Sequence, residues 1–511
     1  MKGSKPWWAP LALAIGVSGC VSLPPGQGHA EVVSLVEAHG RSLASTPKAP
    51  PDWLREKLAQ PLAPDDAVQI ALTQSPRIQA EYARLGIASA EVYSAGRLSN
   101  PKLSAAVLGS NQSGAADQVT FGLAQSFASL LMLPARGRFA RGDFERMKEE
   151  IAAKILDLAA EVESAWFDLA GAQQVSRMRD SVARSARASA DLAQRFLDAG
   201  NITRLEWAMQ QAEASQAQLD ALTAQADVAA ARTTLARLMG LGPGVSDWSI
   251  PSGVPAPLAD EDELTGLLRL AGESRLDLSA ARKEAQLLAD SLGVTRRFRY
   301  LGEVEVGVET ERETDRSRLT GPTLSLELPL FNHGQGAVAR AQAQLESAEA
   351  RLRELEIAAA NDVKLAHARV ANAKARAQAY RTSLIPQREE IVARSQEQVN
   401  FMLQGQFALL LAKRQEYEAY QGYLEVVRDY WLARIELAKS VGTQLPSSRQ
   451  ASASVLDAET LTQPDDSGVP NMDHGDGMGS MNHSGHSMEM PEPAGNQKQD
   501  AHQHHNHGDT P

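Results

Sequence analysis

The side chains best suited to bind a ligand lie near the carboxyl end of this 511-residue chain. Methionine and histidine are mixed there, and a group of histidines follows. Thioether sulfur is a soft ligand and imidazole is borderline, so the mixture favours copper or silver over magnesium or calcium. Cu(I) would take the sulfur atoms, and Cu(II) or zinc the nitrogen atoms. The candidate metal ligands are Met472, His474, Met478, Met481, His483, His486, Met488, Met490, His502, His504, His505 and His507.

These ligands belong to a segment, residues 446–511, that differs in composition from the rest of the chain. From about Gln463 onward Pro, Gly, Asp, Ser, Asn and His dominate without apolar periodicity, which predicts disorder. The alternatives to metal binding are a merely soluble tail or, at the far end, an expression tag. We expect that the protein requires no cofactor and that copper or silver ions bind this tail.

The one cysteine of the chain, Cys20, excludes an intramolecular disulfide. Lys2 and Lys5 precede an apolar run too short to span a membrane, so residues 1–19 are predicted to be a secretory signal. The sequence Val-Ser-Gly-Cys that ends at Cys20 resembles the bacterial lipobox, which implies cleavage before the cysteine and its acylation. The alternative is a plain signal peptide with an incidental buried cysteine.

The body of the chain repeats one order of elements, with a period near 200 residues. Residues 62–250 form the first copy and residues 251–445 the second, and residues 20–61 precede them as an extended segment. Each copy is predicted to contain a short amphipathic helix, two alternating segments, a glycine-containing turn and two long helices that are separated by a glycine. The turns are predicted at Arg136–Arg138 and Asn332–Gly336, and the breaks between the long helices at Gly200 and Gly405.

Four segments alternate between apolar and polar residues, the period of a β-strand. They run over residues 119–127, 303–311, 324–330 and, most weakly, 102–109. In a soluble sandwich the charged face would meet bulk water, whereas in a membrane barrel it would line a wet lumen. The pattern alone leaves both possibilities open.

The long helices are predicted over about Phe139–Leu197 and Ala337–Leu403, roughly 60 residues or 90 Å each. Helical patterns resume at Arg204 and Ala408, so Gly200 and Gly405 are interpreted as the tips of helical hairpins. The predicted fold class is therefore mainly α with a small β part.

The run Leu62–Leu72 before Ser75-Pro76, the duplicated strand pairs and long hairpins, and the glycine tips together resemble the TolC-type outer-membrane efflux channels. The resemblance covers about residues 60–445. The lipobox at Cys20 is similar to that of the acylated branch, which includes drug and heavy-metal exporters. The Met/His mixture resembles segments of bacterial copper-resistance proteins.

This resemblance implies a homotrimer in the bacterial outer membrane. Four strands from each chain would close a 12-stranded barrel in the outer-membrane lipid, continuous with an α-helical barrel in the periplasm. The hairpin tips would dock onto a periplasmic adaptor (membrane fusion) protein, which binds an inner-membrane pump of the resistance-nodulation-division type. Such a channel is passive, because the pump supplies the energy.

The resemblance also assigns a role to residues at the tips. Members of the family often carry acids six and nine positions after the second tip glycine, where they ring the closed aperture, but this chain has Leu411 and Arg414. The first repeat keeps an acid at the corresponding position, Glu206. Closure is therefore expected to depend on apolar contact by Leu409–Leu411 or on Arg414 pairing. The candidate tip and docking residues are Gly200, Asn201, Glu206, Gly405, Gln406, Leu411 and Arg414.

Two classes of function are disfavoured. The net charge of −12, without a sustained basic stripe, argues against a nucleic-acid partner. The absence of HExxH, P-loop, GxSxG and CxxC motifs, in a repeated helical tube, argues against an enzyme. The sequence favours the outer-membrane channel of a tripartite system that exports heavy-metal ions, copper or silver, from the periplasm or cytoplasm. The alternatives are a drug-export channel and a lipid-anchored periplasmic scaffold that sequesters metal.

Overall fold

The computed structural model describes residues 26–41, 51–109, 111, 115–245, 247–449 and 454–462. All of these residues belong to one unit, Met1–Gln463. Cys20 and the twelve candidate metal ligands lie outside the described residues, so their predictions stay predictions.

Four short helices precede the first strand. Pro76 separates the third from the fourth, because a residue before proline avoids the helical region and Ser75 accordingly has an extended ψ of 125°. These helices are α1 (His29–Ala38), α2 (Pro51–Leu58), α3 (Pro64–Gln74) and α4 (Pro76–Ala95).

The first repeat continues with two strands and a helical hairpin. The hairpin arms are predicted correctly in number and order, and the second arm begins at Arg204 as predicted. The elements are β1 (Lys102–Leu108), β2 (Gln118–Ser126), α5 (Phe127–Asp198) and α6 (Arg204–Leu238).

The predicted turn at Arg136–Arg138 is wrong, since α5 runs through it without a break. The helix begins at Phe127, twelve residues before the predicted Phe139, where the Ser126 hydroxyl accepts a hydrogen bond from the Ser129 amide at 3.2 Å. Phe127, predicted to lie in the strand, is therefore helical. Gly137 is a buried helical residue rather than a turn residue.

The second repeat has the same order of elements as the first. It consists of β3 (Val254–Pro255), α7 (Leu264–Ser274), α8 (Leu276–Phe298), β4 (Val304–Arg312), β5 (Arg318–Leu326), α9 (Gln335–Ala379), a π-helical turn (Tyr380–Leu384), α10 (Ile385–Asn400) and α11 (Gln406–Val441). A 3₁₀ turn (Pro446–Arg449), β6 (Val455–Leu456) and α12 (Ala458–Thr462) follow.

The predicted bounds of β5 are wrong at both ends. β5 begins at Arg318, six residues before the predicted start, and it ends at Leu326, before the predicted Leu328 and Leu330. Pro329, which follows, has no amide to donate to a neighbouring strand. The long helix is interrupted by the π-helical turn because Pro386, next to the start of α10, cannot donate to the preceding helical turn. The turn predicted at Asn332–Gly336 is confirmed for Asn332–Gly334, where Gly334 has φ +72°, but Gln335 and Gly336 already belong to α9.

The four long strands form one antiparallel sheet in the order β1-β2-β4-β5, so the strand pairs of both repeats join at β2 and β4. Phe121 of β2 pairs with Ala105 of β1 and with Thr310 of β4. The prediction of four strands in the chain is thus confirmed for this sheet. A second, two-stranded sheet pairs β3 with β6.

The core lies between the helices of the two repeats. The predicted apolar stripe of α5 is buried, as Ile151, Ile155 and Val162 have no exposed surface. Phe167 of α5 stacks on Trp431 of α11, with ring centroids 5.4 Å apart. Among the helices in the described part of the chain, none combines the length and apolar character needed to cross a bilayer.

Candidate functional site

One face of the four-stranded sheet is apolar and exposed. The register brings most of the aliphatic residues of the four strands to this side, as in the pair Leu103 and Leu123, whereas Leu108 of β1 and Leu319 of β5 lie on the other side. Eight of these side chains are 47% to 76% exposed, so the chain alone leaves the face uncovered. They are Leu103, Val107, Phe121, Leu123, Val306, Val308, Leu324 and Leu326.

The opposite face of the same sheet is polar and acidic. Alternate positions of β4 on this face are occupied by Glu305, Gly307, Glu309 and Glu311. The Lys102 ammonium of β1 lies 2.6 Å from the Glu305 carboxylate, and the Gln118 amide of β2 donates to Glu311. Sheets with one apolar and one polar face occur in soluble antiparallel folds and in the walls of membrane barrels.

The outer edges of the sheet are available for pairing. β1 pairs only with β2, and β5 only with β4, among the described residues. Each edge strand therefore presents a row of backbone donors and acceptors that another strand could satisfy.

The first hairpin tip, between α5 and α6, is built around Gly200 and Glu206. Gly200 has φ +75°, and the Asn201 amide donates to the Phe196 carbonyl at 2.8 Å, which ends α5. The Glu206 carboxylate accepts from the Thr203 amide at 2.7 Å, and the Thr203 hydroxyl accepts from the Glu206 amide at 3.2 Å. Hydrogen bonds donated by the Thr203 amide and hydroxyl to the Glu206 carboxylate lower the pKa of Glu206. Glu206 therefore caps α6 within its own chain.

In the second hairpin tip the backbone turns at Met402, which the sequence does not identify as a turn residue. Met402 has φ +56°, whereas Gly405 is extended at φ −75° and caps α11, which begins at Gln406. The Leu403 amide donates to the Gln398 carbonyl at 2.8 Å. α10 therefore ends in a C-terminal capping motif in which Met402 takes the left-handed position that glycine usually occupies. No residue-type signal marks Met402 for this role, since left-handed backbone is unusual for methionine.

The two tips differ in surface character. Phe401, Met402 and Leu403 of the second tip are 76%, 93% and 78% exposed. The turn of the first tip instead presents the small or polar residues Gly200 and Asn201, although Leu205 at the start of α6 is 70% exposed. The turn of the second tip is thus the more apolar of the two.

The two hairpins are joined just above their tips. The Arg414 guanidinium of α11 forms an ion pair with the Glu213 carboxylate of α6, and it lies 3.5 Å from Glu418. Phe196 and Phe407 meet edge to face, with centroids 6.1 Å apart. A cavity of about 490 Å³ lies beside these contacts, and Leu411, which is 48% exposed, lines it.

Arg414 therefore forms an ion pair, as one of the two predicted modes of closure requires. The partner residue belongs to the same chain. The partner, Glu213, was not identified from the sequence. In the part of the chain that the structure describes, no group of three or more His, Cys, Asp or Glu residues is arranged to hold a metal ion.

Comparison with protein families gives one match, in which residues 67–241 fit the family described as Outer membrane efflux protein. This match covers most of the first repeat, including α5 and α6. Comparison with curated protein sequences finds no match.

Comparison with solved structures shows a shared fold. A membrane protein from Pseudomonas aeruginosa aligns with a TM-score of 0.64 at 17% identity, over 76% of this chain and 94% of that chain. The outer membrane protein VceC from Vibrio cholerae aligns with a TM-score of 0.60 at 17% identity, over 75% and 96%. CusC, whose transmembrane channel formation has been described, aligns with a TM-score of 0.60 at 16% identity, over 79% and 98%.

Proposed function

We propose that this chain is one subunit of a trimeric outer-membrane efflux channel. The proposal proceeds from the match of residues 67–241 to the Outer membrane efflux protein family and from the shared fold of VceC and CusC. The observation that carries it is the four-stranded sheet, which exposes an apolar face, an acidic face and two edges that no strand of the described residues pairs with.

The number of strands supports a trimer. Four strands cannot close a barrel, because membrane barrels begin at about eight strands, whereas three chains supply twelve. β5 of one subunit would pair with β1 of the next. The nine-residue strands β2, β4 and β5 extend about 30 Å, and when tilted they match the apolar band of an outer-membrane barrel.

The helices would continue the barrel as a periplasmic duct. α5 has 72 residues and would be about 108 Å long if straight. In this assembly the hairpin tips face a periplasmic adaptor and an inner-membrane pump of the resistance-nodulation-division type. The channel itself would catalyse no reaction.

The position of the amino-terminal helix is compatible with an acyl anchor at Cys20. A side chain at Gly28 would meet Phe144 of α5, which is 17 residues, or about 26 Å, from the sheet end of that helix. Eight residues separate Cys20 from Gly28 and can span at most about 29 Å. An acylated Cys20 can therefore reach the level where the sheet enters the membrane.

The proposed cargo is a copper or silver ion. This part of the proposal depends on the soft ligands of residues 472–490. A wide, water-filled duct need not select its cargo. A drug-export channel with the same architecture is the alternative.

Planar-bilayer recording tests the channel. The purified full chain should cross-link as a trimer and conduct ions, and it should fractionate with the outer membrane. A water-soluble monomer that never conducts would contradict the proposal and favour the periplasmic scaffold.

A further inference from the structure

The apolar face of the sheet changes character along the pairing of β4 with β5. From the helical end to the turn at residues 313–317, the pairs on this face are Val304 with Leu326, Val306 with Leu324, Val308 with Pro322, Thr310 with Thr320, and Arg312 with Arg318. Three apolar pairs are thus followed by a pair of hydroxyls, whose oxygens are 3.1 Å apart, and then by a pair of guanidinium groups. The apolar face therefore ends in positive charge on the side away from the helices.

The two arginines at this end repel each other. Arg312 and Arg318 are direct partners in the ladder, and side chains in that position have Cβ atoms about 4.5–5.5 Å apart. Like charges directly opposite each other destabilise a pair of strands. Both side chains are exposed, and neither forms an ion pair with a carboxylate in the part of the chain that the structure describes. An anion from outside the chain would relieve the repulsion.

The turn between the two arginines holds them in register. The Glu313 amide donates to the Ser317 carbonyl at 2.9 Å, and the Arg316 amide donates to the Glu313 carbonyl at 3.0 Å. The Asp315 carboxylate accepts a hydrogen bond from the Ser317 amide at 2.7 Å. Arg316 has φ +75°, in the left-handed region that is unusual for a residue other than glycine. The two guanidinium groups are therefore presented by a tight, hydrogen-bonded turn.

Neighbouring strands do not supply the missing anion. Glu311 is adjacent to Arg312 in the strand and so lies on the other face, where Gln118 donates to it. In the proposed trimer β5 pairs with β1 of the next subunit, but residues 103–116 contain no charged side chain. Neither β1 nor the turn that follows it would therefore neutralise Arg318.

We infer that Arg312 and Arg318 bind a phosphate group of a lipid in the outer leaflet of the membrane, with one site in each subunit. The inference rests on the proposed function, which puts this face in lipid and the turn at residues 313–317 on the outer side. Guanidinium groups hold phosphate oxygens through pairs of parallel hydrogen bonds. Two of them on opposite strands can share one phosphate.

The depth of the pair fits a lipid headgroup. Arg312 is four residues beyond Val308, the last apolar position of β4 on this face, which is about 14 Å along the strand. With the usual tilt of about 40°, this is about 10 Å along the membrane normal. The apolar pairs would contact acyl chains while the guanidinium groups reach the phosphate, so a lipid satisfies the whole face and a free anion only its end.

Lipid binding by the purified full-length protein tests the site. The variant Arg312→Gln with Arg318→Gln removes both guanidinium groups and keeps polar side chains. The matched control, Arg351→Gln with Arg353→Gln, removes the same charge from exposed positions of α9, sixteen or more residues beyond the start of that helix. The probes are fluorescent lipid A with both of its phosphates and the same lipid with the phosphates removed.

The arginine variant should bind lipid A at least about tenfold more weakly, because charge-assisted hydrogen bonds are stronger than neutral ones. The control should bind lipid A as the unsubstituted chain does, and removal of the phosphates should abolish the difference between the variants. Equal binding of lipid A by the arginine variant and the unsubstituted chain would refute the site. Displacement of lipid A by inorganic phosphate at the same concentration would also overturn the inference, since it would show a site for a free anion.

Gel mobility and planar-bilayer recording separate this inference from the proposed function. If the unsubstituted chain neither forms trimers nor conducts, the channel proposal fails. If it conducts as a trimer and binds lipid A independently of the two arginines, only the lipid site is refuted. Should the double variant fail to assemble, Arg318→Gln alone, at an exposed position of an edge strand, should still bind lipid A several-fold more weakly; unchanged binding there would refute the site.

Discussion

The Arg414 guanidinium of α11 and the Glu213 carboxylate of α6 form an ion pair that joins the second helical hairpin to the first. Both side chains are partly exposed, at 32% and 42%, so the pair is expected to contribute no more than about 1 kcal/mol. A free energy of about 1 kcal/mol changes a two-state equilibrium roughly fivefold. The ion pair is therefore weak enough to break and reform.

Breaking this ion pair should favour the open tip. We expect Arg414→Gln to raise the conductance of the purified channel about twofold or more in planar bilayers. Arg394→Gln is the matched control, since Arg394 pairs with Glu390 and Glu397 of its own helix at 2.9 and 3.1 Å. The exchange of Arg414→Glu with Glu213→Arg should restore the lower conductance; if it does not, the pair does not hold the tip closed.

Glu206 should behave as a helix cap. Its pKa is lowered by hydrogen bonds from Thr203, so it stabilises the tip above its unfolded pKa, and the contribution is lost as the pH falls through the folded value. Glu206→Ala should speed amide hydrogen exchange at the start of α6 several-fold at neutral pH. Asp227→Asn, on the exposed face of the same helix, should leave that exchange unchanged, and equal rates in both variants would argue against the cap.

The two faces of β5 should respond differently to a charge. Leu324 and Ser325 are adjacent and therefore point to opposite faces of the sheet. Leu324→Arg places a charge on the proposed lipid face, at an expected cost of about 2–4 kcal/mol near the midplane, so outer-membrane trimers should be largely lost. Ser325→Arg should assemble normally. Membrane fractionation and gel mobility measure both variants, and equal assembly would contradict a lipid-facing sheet.

Much of this architecture could be predicted because it depends on periodicity. The stripe through Ile151 and Ile155 repeats every three or four residues, and Val306 and Val308 alternate with acids, so helix and strand followed from the order of residue types. The turn predicted around Gly137 is wrong because glycine occurs both in turns and at buried helical positions. The residue type alone does not distinguish the two, whereas the neighbouring residues do.

The contacts between hairpins could not be predicted in this way. Arg414 and Glu213 are separated by 201 positions, and each lies in a helical face with other charges, so nothing local singles out the pair. Met402 was missed for a related reason: its left-handed conformation is imposed by the way α10 and α11 meet, and not by its own preference.

The acidic face of the sheet should make the channel cation-selective. In the proposed trimer each of the three subunits contributes Glu309 and Glu311 to the lumen. Rings of carboxylates favour cations. Replacing both with Gln should move the reversal potential in a KCl gradient toward zero. Glu56→Gln, on an exposed position of α2, should leave it unchanged. An unaltered reversal potential in the double variant would place these acids away from the ion path.

Gly240 should be indispensable where α6 returns to the junction of α3 and α4. It has φ +73°, and a Cβ there would lie 2.9 Å from the Gln74 carbonyl oxygen and 3.1 Å from the Ser75 Cα. Both neighbours are backbone atoms that cannot rotate away, so Gly240→Ala combines a strained conformation with a clash.

We expect Gly240→Ala to destabilise the fold by about 1–3 kcal/mol. Gly244→Ala is the matched control, because a Cβ at Gly244 meets nothing within 4 Å and its φ is outside the left-handed region. Thermal unfolding in detergent should show a lower midpoint for the first variant only. Equal midpoints would mean that the α3–α4 junction moves aside, and hence that the return of α6 is less closely packed than the structure shows.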